Sequence, residues 1–405
     1  MKILHTSDWH LGKKLERFSR LEEQKLVMDE ICEIANTQDV DAIVVAGDIF
    51  DTFNPPTEAV ELFYRTVRKL SNNAKRPVVV IAGNHDSADR IEAPDPLARE
   101  LGIVFVGYPN SKIHTFELES GLKLVNTDYG FLEFKLPNNE LLRVVTTPYA
   151  NEQRLKSFLG VDDAENELRE LLENNWRDIS RKYCDNKGVN ILTAHLFFMK
   201  KGEKIQAEPD DEKPILHIGG AQAIFSNSIP EEIQYTALGH LHRKQIIDDS
   251  ISPVVYSGTP IAYSFGESNQ DKFVAIVDIE PNKKAEIDFV EVTKGKRLLR
   301  KEFDDLEEAK KWLSENTESL VEITLVMDNY LKADDKKSLY DIHSGIINII
   351  PKVNLKKDDS KSEKQTINLN ENLPELFKQY FSSRNAGQNP NEDVMDLFNE
   401  IISKN

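Results

Sequence analysis

Residues 41–51 read DAIVVAGDIFD. The run Ala42–Ala46 is wholly apolar and stops at Gly47-Asp48, with Asp51 close behind. A short apolar run rich in β-branched residues and closed by a glycine reads as a strand buried on both faces. Four other runs share the plan. KILHT (Lys2–Thr6) leads to Asp8-Trp9-His10, and VVVIA (78–82) leads to Gly83-Asn84-His85-Asp86. NILTA (190–194) leads to His195, and QYTAL (234–238) leads to Gly239, His240 and His242. Helical periodicity fills the first two gaps, at 21–35 and Thr57–Leu70, and a further acidic helical stretch spans 163–183. Strands alternating with helices imply α/β layers. Between residues 104 and 147 the pattern alternates and is turn-rich, as in antiparallel strands. The expected fold class is therefore α/β, a mixed β-sandwich flanked by helices.

Beyond Pro281 the character changes. Leu298–Phe303, 306–313, Leu320–Met327 and Ile346–Val353 read as strand, helix, strand, strand, a small α+β domain. The charged stretch LKKDDSKSEK (355–364) reads as a solvated linker. The expected division is 1–280, 281–355, a linker over 356–370, and a helical module over 371–405. In that module Leu373, Leu376, Phe377, Tyr380 and Phe381 fall at i, i+3, i+4, i+7, i+8, and Val394, Leu397, Phe398, Ile401 and Ile402 repeat the spacing. Each set makes one apolar helix stripe, with the turn-forming SSRNAGQNPN between them. A hairpin of that size does not usually fold alone, so its apolar faces must be buried on something. The charged linker favours a partner over the chain's own domains.

With 405 residues, 40% hydrophobic and 30% charged, the chain is long enough for two or three domains and a large core. Two cysteines without CxxC pairing fit a reducing compartment. The N-terminal MKILHTSDWHLG has no apolar segment of signal-peptide type, and no run approaches the roughly 20 residues that span a bilayer. The cytoplasm is the expected location. A net charge of −18 excludes nucleic-acid binding by bulk electrostatics, so a phosphate-bearing substrate must be held by local cations. Neither G-x-x-x-x-G-K-[ST] nor G-x-G-x-x-G occurs, which leaves no nucleotide-phosphate loop.

Ligands of open α/β sheets sit at the carboxyl ends of strands, so the five polar clusters are placed to converge. His240 and His242 lie two apart on an extended segment and point the same way. Carboxylates, imidazoles and an amide oxygen suit Mn²⁺, Fe²⁺ or Zn²⁺ with open positions, and one carboxylate can bridge two ions about 3.5–4 Å apart. Any one piece alone is more often a turn, a cap or a satisfied core residue; His5, His114, His217 and His343 are read as core. Basic pairs Lys13-Lys14, Lys200-Lys201 and Arg243-Lys244 follow three of the clusters and are candidates for contacts with a polyanion.

The series DWH, GDIFD, GNHD, AH, GHLH resembles the calcineurin-like metallophosphoesterases. HTSDWHLGK, VVAGDIFDTFNPP, VIAGNHDS, YTALGHLHRKQ and VYSGTPIAYSFGE are more closely similar to the nuclease components of a bacterial two-component family whose other component is an ATPase. The close motifs cover residues 1 to about 267. The resemblance implies Asp8, His10, Asp48 and His242 on one metal, and Asp48, Asn84, His195 and His240 on the other, with Asp48 as the bridge. It implies His85 as the catalytic histidine. Where other branches carry a second histidine this chain has Asp51, to which no catalytic role is assigned. The family implies two Mn²⁺ ions, exonuclease action on double-strand DNA ends, endonuclease action on single strands and hairpins, a homodimer, and an ATPase partner gripped by the C-terminal helices. The alternatives are a phosphoesterase of small nucleotides or phosphoproteins and a non-catalytic scaffold. The extra domain and helical tail argue against the former, and a full set of ligand candidates against the latter.

Overall fold

A computed structural model of the 405-residue chain describes residues 1–155, 164–203, 223–268, 270–327, 331–353 and 373–384, together with Pro390, Val394, Met395 and Phe398. The five runs form strands β1 (Lys2–Thr6), β2 (Ala42–Ala46), β3 (Val78–Ile81), β4 (Val189–His195) and β5 (Tyr235–Gly239). They fall in two sheets. In a six-stranded sheet β1, β2, β3 and Ile103–Val106 run parallel, and Lys272–Asp278 and Glu286–Val292 extend it antiparallel beyond β1. In an eight-stranded sheet Val254–Tyr256, β5, β4 and Leu141–Thr147 run parallel, flanked by antiparallel strands on both sides.

Strand periodicity explains why the runs are apolar throughout. Ile3, Val44, Val79 and Ile81 face inward, where they pack with Leu132, Phe134, Val144, Ile191, Tyr235 and Ala237 of the other sheet. Leu4, Ile43, Val45, Val78 and Val80 face outward, against helices α1 (Leu21–Thr37) and α2 (Thr57–Leu70). The second sheet is covered on its outer face by α3 (Ala164–Tyr183), whose Trp176 is fully buried with Leu192, Leu238 and Tyr256. Two face-to-face sheets with helices outside leave neither sheet a wet face, hence no polar alternation within β2 or β3.

The change of character near Pro281 marks the hairpin turn before Glu286–Val292, which completes the first sheet. The expected boundary at 281 is thus corrected: the separate three-stranded sheet begins at Leu298. Glu286–Val292 is an edge strand dotted with acidic side chains, so it reads unlike the buried strands before it. The three strands Leu298–Phe303, Leu320–Met327 and Ile346–Val353 are parallel, linked through helices Leu306–Glu315 and Ala333–Ile342. The second helix is absent from the sequence reading; ADDKKSLYDI buries only Leu339 and so shows almost no apolar stripe.

Residues 354–405 form a separate unit. In it Leu373–Arg384 is helical and the rings of Phe377 and Phe398 stack at 3.9 Å. Leu397, Ile401 and Ile402 lie outside the described residues, as does His217. His5 is a satisfied core residue, held by Tyr235 Oη at 2.8 Å and the carbonyl of Leu238 at 3.1 Å. His343 likewise meets the carbonyl of Asn316 and the amide of Gly345. His114, expected in the core, is exposed. Both cysteines are unpaired, and among the described residues no helix is long and apolar enough to cross a membrane.

Candidate metal centre

The carboxyl ends of β1–β3 and of β4–β5 meet at one edge of the sandwich. Backbone bonds continue the β1–β2 pairing past the strands: Asp8 N–H donates to the carbonyl of Gly47 at 2.9 Å, and His10 N–H to that of Asp48 at 3.0 Å. Asp8, His10, Asp48 and His240 have φ of 53°, 42°, 48° and 108°. Left-handed backbone at non-glycine residues costs of order 1–3 kcal/mol each and concentrates at functional sites. Two glycines clear space for this packing. A Cβ on Gly239 would stand 1.9 Å from the carbonyl oxygen of Ala46, and one on Gly83 would stand 2.1 Å from Asp48 Oδ1.

The side chains form two groups around Asp48. On one side His10 Nε2 lies 3.2 Å from His242 Nε2, with an Asp8 carboxylate oxygen within reach of the same point. On the other, the Asn84 amide oxygen lies 3.0 Å from His195 Nε2 and 3.0 Å from His240 Nδ1. Asp48 Oδ2 stands between them, 3.7 Å from His10 Nε2 and 3.4 Å from His195 Nε2. Two donors held about 2.1 Å from one ion at tetrahedral or octahedral angles stand about 3.0–3.4 Å apart, which is the spacing of the His10–His242, Asn84–His195, Asn84–His240 and Asp48–His195 pairs; Asp48–His10 is wider at 3.7 Å. The donor set of oxygen and imidazole nitrogen with no thiolate fits a hard to borderline dication. All seven expected ligands therefore come together.

Burial and mutual charge set the protonation of these groups differently. Burial pulls His10 down to about 4 and His240 down to about 3, which leaves both neutral, with lone pairs to offer, at physiological pH. Burial pushes Asp8 up to about 6, with His195 opposing and Asp48 adding to the rise. Burial also acts to raise Asp48, but His195, His10 and His85 together hold it well below the ordinary carboxylate range. His195 is lowered by burial and then lifted to about 9 by Asp48. Its Nδ1 faces the carbonyl of Ala46 at 2.8 Å, so Nδ1 donates and Nε2 is aimed at Asp48 and Asn84.

His85 is half-buried at the mouth. Its amide donates to Asp48 Oδ1 at 2.9 Å and its Nδ1 donates to the backbone carbonyl of Asp51, also at 2.9 Å. That bond fixes the tautomer and leaves Nε2 turned away from Asp51. Asp51, left without a role by the sequence, has its carboxylate on Lys13 at 2.8 Å and 3.7 Å from His10 Nδ1. Asp86 is fully buried and accepts the amides of Ile49, Phe50 and Gly83, which ties the β2 and β3 loops together. Glu267, 2% exposed, faces His242 Nδ1 at 3.7 Å. It is braced by Lys272, by Thr259 Oγ1 at 3.0 Å and by the Tyr263 amide at 3.0 Å. Neither Asp51 nor Glu267 was legible, since each acts through neighbours brought up by folding.

The expected basic pairs separate. Lys13 is engaged by Asp51, Lys200 by Asp248 at 3.2 Å, and Lys244 Nζ lies over the ring of Phe273 at 3.5 Å. Lys14 and Arg243 are exposed. The pairs are thus not one basic patch: three of the six cations are already committed to neighbours.

Residues 1–226 match the calcineurin-like phosphoesterase family, and the chain belongs to it. Within that class it belongs with the SbcD proteins, the D subunits of the nuclease SbcCD. It is 36% identical to the SbcD of Bacillus subtilis strain 168 over 411 residues, covering all of this chain and 98% of the relative. It is 32% identical to that of Staphylococcus epidermidis and 33% to that of Rhodobacter capsulatus, over 70% and 69% of this chain and 67% and 66% of those relatives.

Proposed function

We propose that the chain is a two-metal DNA phosphodiesterase, the nuclease component of an SbcC-containing complex. The observation that carries this reading is Asp48 Oδ2 standing 3.7 Å from His10 Nε2 and 3.4 Å from His195 Nε2, between two sets of donors. Asp8, His10, Asp48 and His242 would hold one ion, and Asp48, Asn84, His195 and His240 the other, with Mn²⁺ suited to such donors. When bound, the pair supplies Lewis-acid polarisation of the phosphate and activation of the attacking water. The chain's own residues do the rest. Asp48 carries the negative charge that lets two dications sit close. The Asp51 carbonyl holds the His85 ring so that Nε2 delivers a proton to the leaving oxygen. Glu267 orients His242 from behind.

The relatives' names support a nuclease, and the reading takes DNA as its substrate. The finer reading is exonuclease action at double-strand ends in the 3′→5′ sense and endonuclease action on single strands and hairpins, in repair and recombination. It includes a cytoplasmic homodimer that binds two SbcC-type ATPases through the C-terminal helices. The test is purified protein with Mn²⁺ on end-labelled duplex DNA, with and without the ATPase partner, beside bis(4-nitrophenyl) phosphate. DNA degradation is expected. Turnover of the dye without DNA cleavage in either setting would replace this reading with a small-substrate phosphoesterase.

A further inference from the structure

Arg154 is a buried cation that the site described so far leaves without a task. It is 7% exposed. Nη2 donates to the carbonyl oxygen of Asp86, the residue after His85, at 2.7 Å. The guanidinium stands 5.3 Å from the ring centre of Tyr149. Nη1 is buried and donates to nothing. Of the other buried arginines, Arg20 pairs with Glu23 and Arg143 with Glu133 and Asp185, while Arg76, far from the site, donates through Nη1 to the carbonyl of Leu70 and to Asn36. Among the described residues Arg154 is the one arginine with a buried Nη that lacks a partner. A buried guanidinium left this way is costly, and a ligand anion would relieve the cost.

Its position is built by both sheets. Strand Leu141–Thr147 runs parallel to β4, with Thr147 opposite Ala194, next to His195. The chain then crosses to the other sheet, where the Tyr149 amide donates to the carbonyl of Ala82 at 2.9 Å, beside Gly83-Asn84. Helix Glu152–Leu155 returns Arg154 to Asp86. Arg154 therefore borders the loops that carry Asn84, His85 and His195, close enough for the charge of Asp48 to act on it. With a net charge of −18 the protein needs fixed local cations to hold an anion. The planar guanidinium stays charged and matches phosphate oxygens better than an ammonium does.

We propose that Arg154 is a substrate-contacting residue whose Nη1–H donates to a non-bridging oxygen of the scissile phosphodiester. This rests on the phosphodiesterase reading above. The experiment uses the full-length protein loaded with Mn²⁺, comparing wild type, Arg154→Gln and Arg154→Lys. Kinetics on bis(4-nitrophenyl) phosphate are measured alongside calorimetric binding of inorganic phosphate, bound metal and Tm. Loss of a charge-assisted bond is worth about ten- to a hundredfold. Arg154→Gln is expected to lose kcat/KM and phosphate affinity by factors of that order, with bound Mn²⁺ unchanged and the chain still folded, Tm falling only by the loss of the bond to Asp86. In a third variant, Arg154→Ala, added guanidinium ion is expected to restore part of the rate. Wild-type phosphate affinity in Arg154→Gln, or loss of activity only in step with loss of metal, would overturn the proposal. Should the glutamine variant fail to fold, Arg154→Lys decides, because it keeps the charge and the stem over Tyr149. A threefold or larger loss in both readouts supports the contact, and wild-type values overturn it. The calorimetry needs no turnover. Failure of the phosphodiesterase reading thus appears as an inactive wild type, and failure of this inference as unchanged phosphate affinity in the variants.

Discussion

At the scale of the residue, the candidate site divides into groups that would hold cations and groups that brace those groups. His85 lies on the boundary: its amide touches Asp48, but its ring is pinned by the Asp51 carbonyl and stacks edge-on to His10 at 5.0 Å. His85→Ala is expected to keep both metals and cleave at least about a hundredfold more slowly, since general acid–base action contributes about 10²–10⁴-fold. Metal loss as complete as that from removing a ligand would make His85 a ligand instead. Glu267→Gln should weaken metal binding about 10- to 100-fold, the usual effect of losing an outer carboxylate behind a ligating histidine; metal titration at constant pH reads it, and unchanged affinity would remove Glu267 from the site. That Asp8, His10, Asp48, Asn84, His195, His240 and His242 converge was legible because each follows an apolar run that declares where a strand ends. Asp51, Glu267 and Arg154 were not. Their roles run through a backbone carbonyl, a buried lysine and an unpartnered nitrogen, none of which leaves a pattern along the chain.

At the scale of the element, β1, β2 and α2 carry the bounds that their sequences announce, because burial on one or both faces enforces the period. Helix Ala333–Ile342 and edge strand Glu286–Val292 escaped because little of either is buried. The ends of β2 and β5 show how tightly two elements are fitted. Gly239→Ala would place a Cβ 1.9 Å from the Ala46 carbonyl, where only backbone movement can make room. The variant is expected to lose more than about 2 kcal/mol in urea unfolding, with metal affinity falling as His195 and His240 shift. Wild-type stability together with wild-type metal content would show that the sheets are not in the contact described.

At the scale of the whole molecule, the chain joins a candidate metal centre between two sheets, a three-stranded unit from Leu298, and a separate C-terminal unit in which Phe377 stacks on Phe398. Deleting residues 366–405 is expected to abolish capture by SbcC while sparing Mn²⁺-dependent cleavage; undiminished capture would show that the tail is not the main tether. The central claim is that one carboxylate, Asp48, makes room for two dications. It is tested by counting bound Mn²⁺ per chain in wild type and Asp48→Asn, alongside DNA cleavage by the same samples. The substitution keeps the shape and removes the charge. The expected result is two ions and cleavage for wild type, and fewer than two ions with cleavage abolished for Asp48→Asn. Two tightly bound ions and wild-type cleavage in Asp48→Asn would contradict the account.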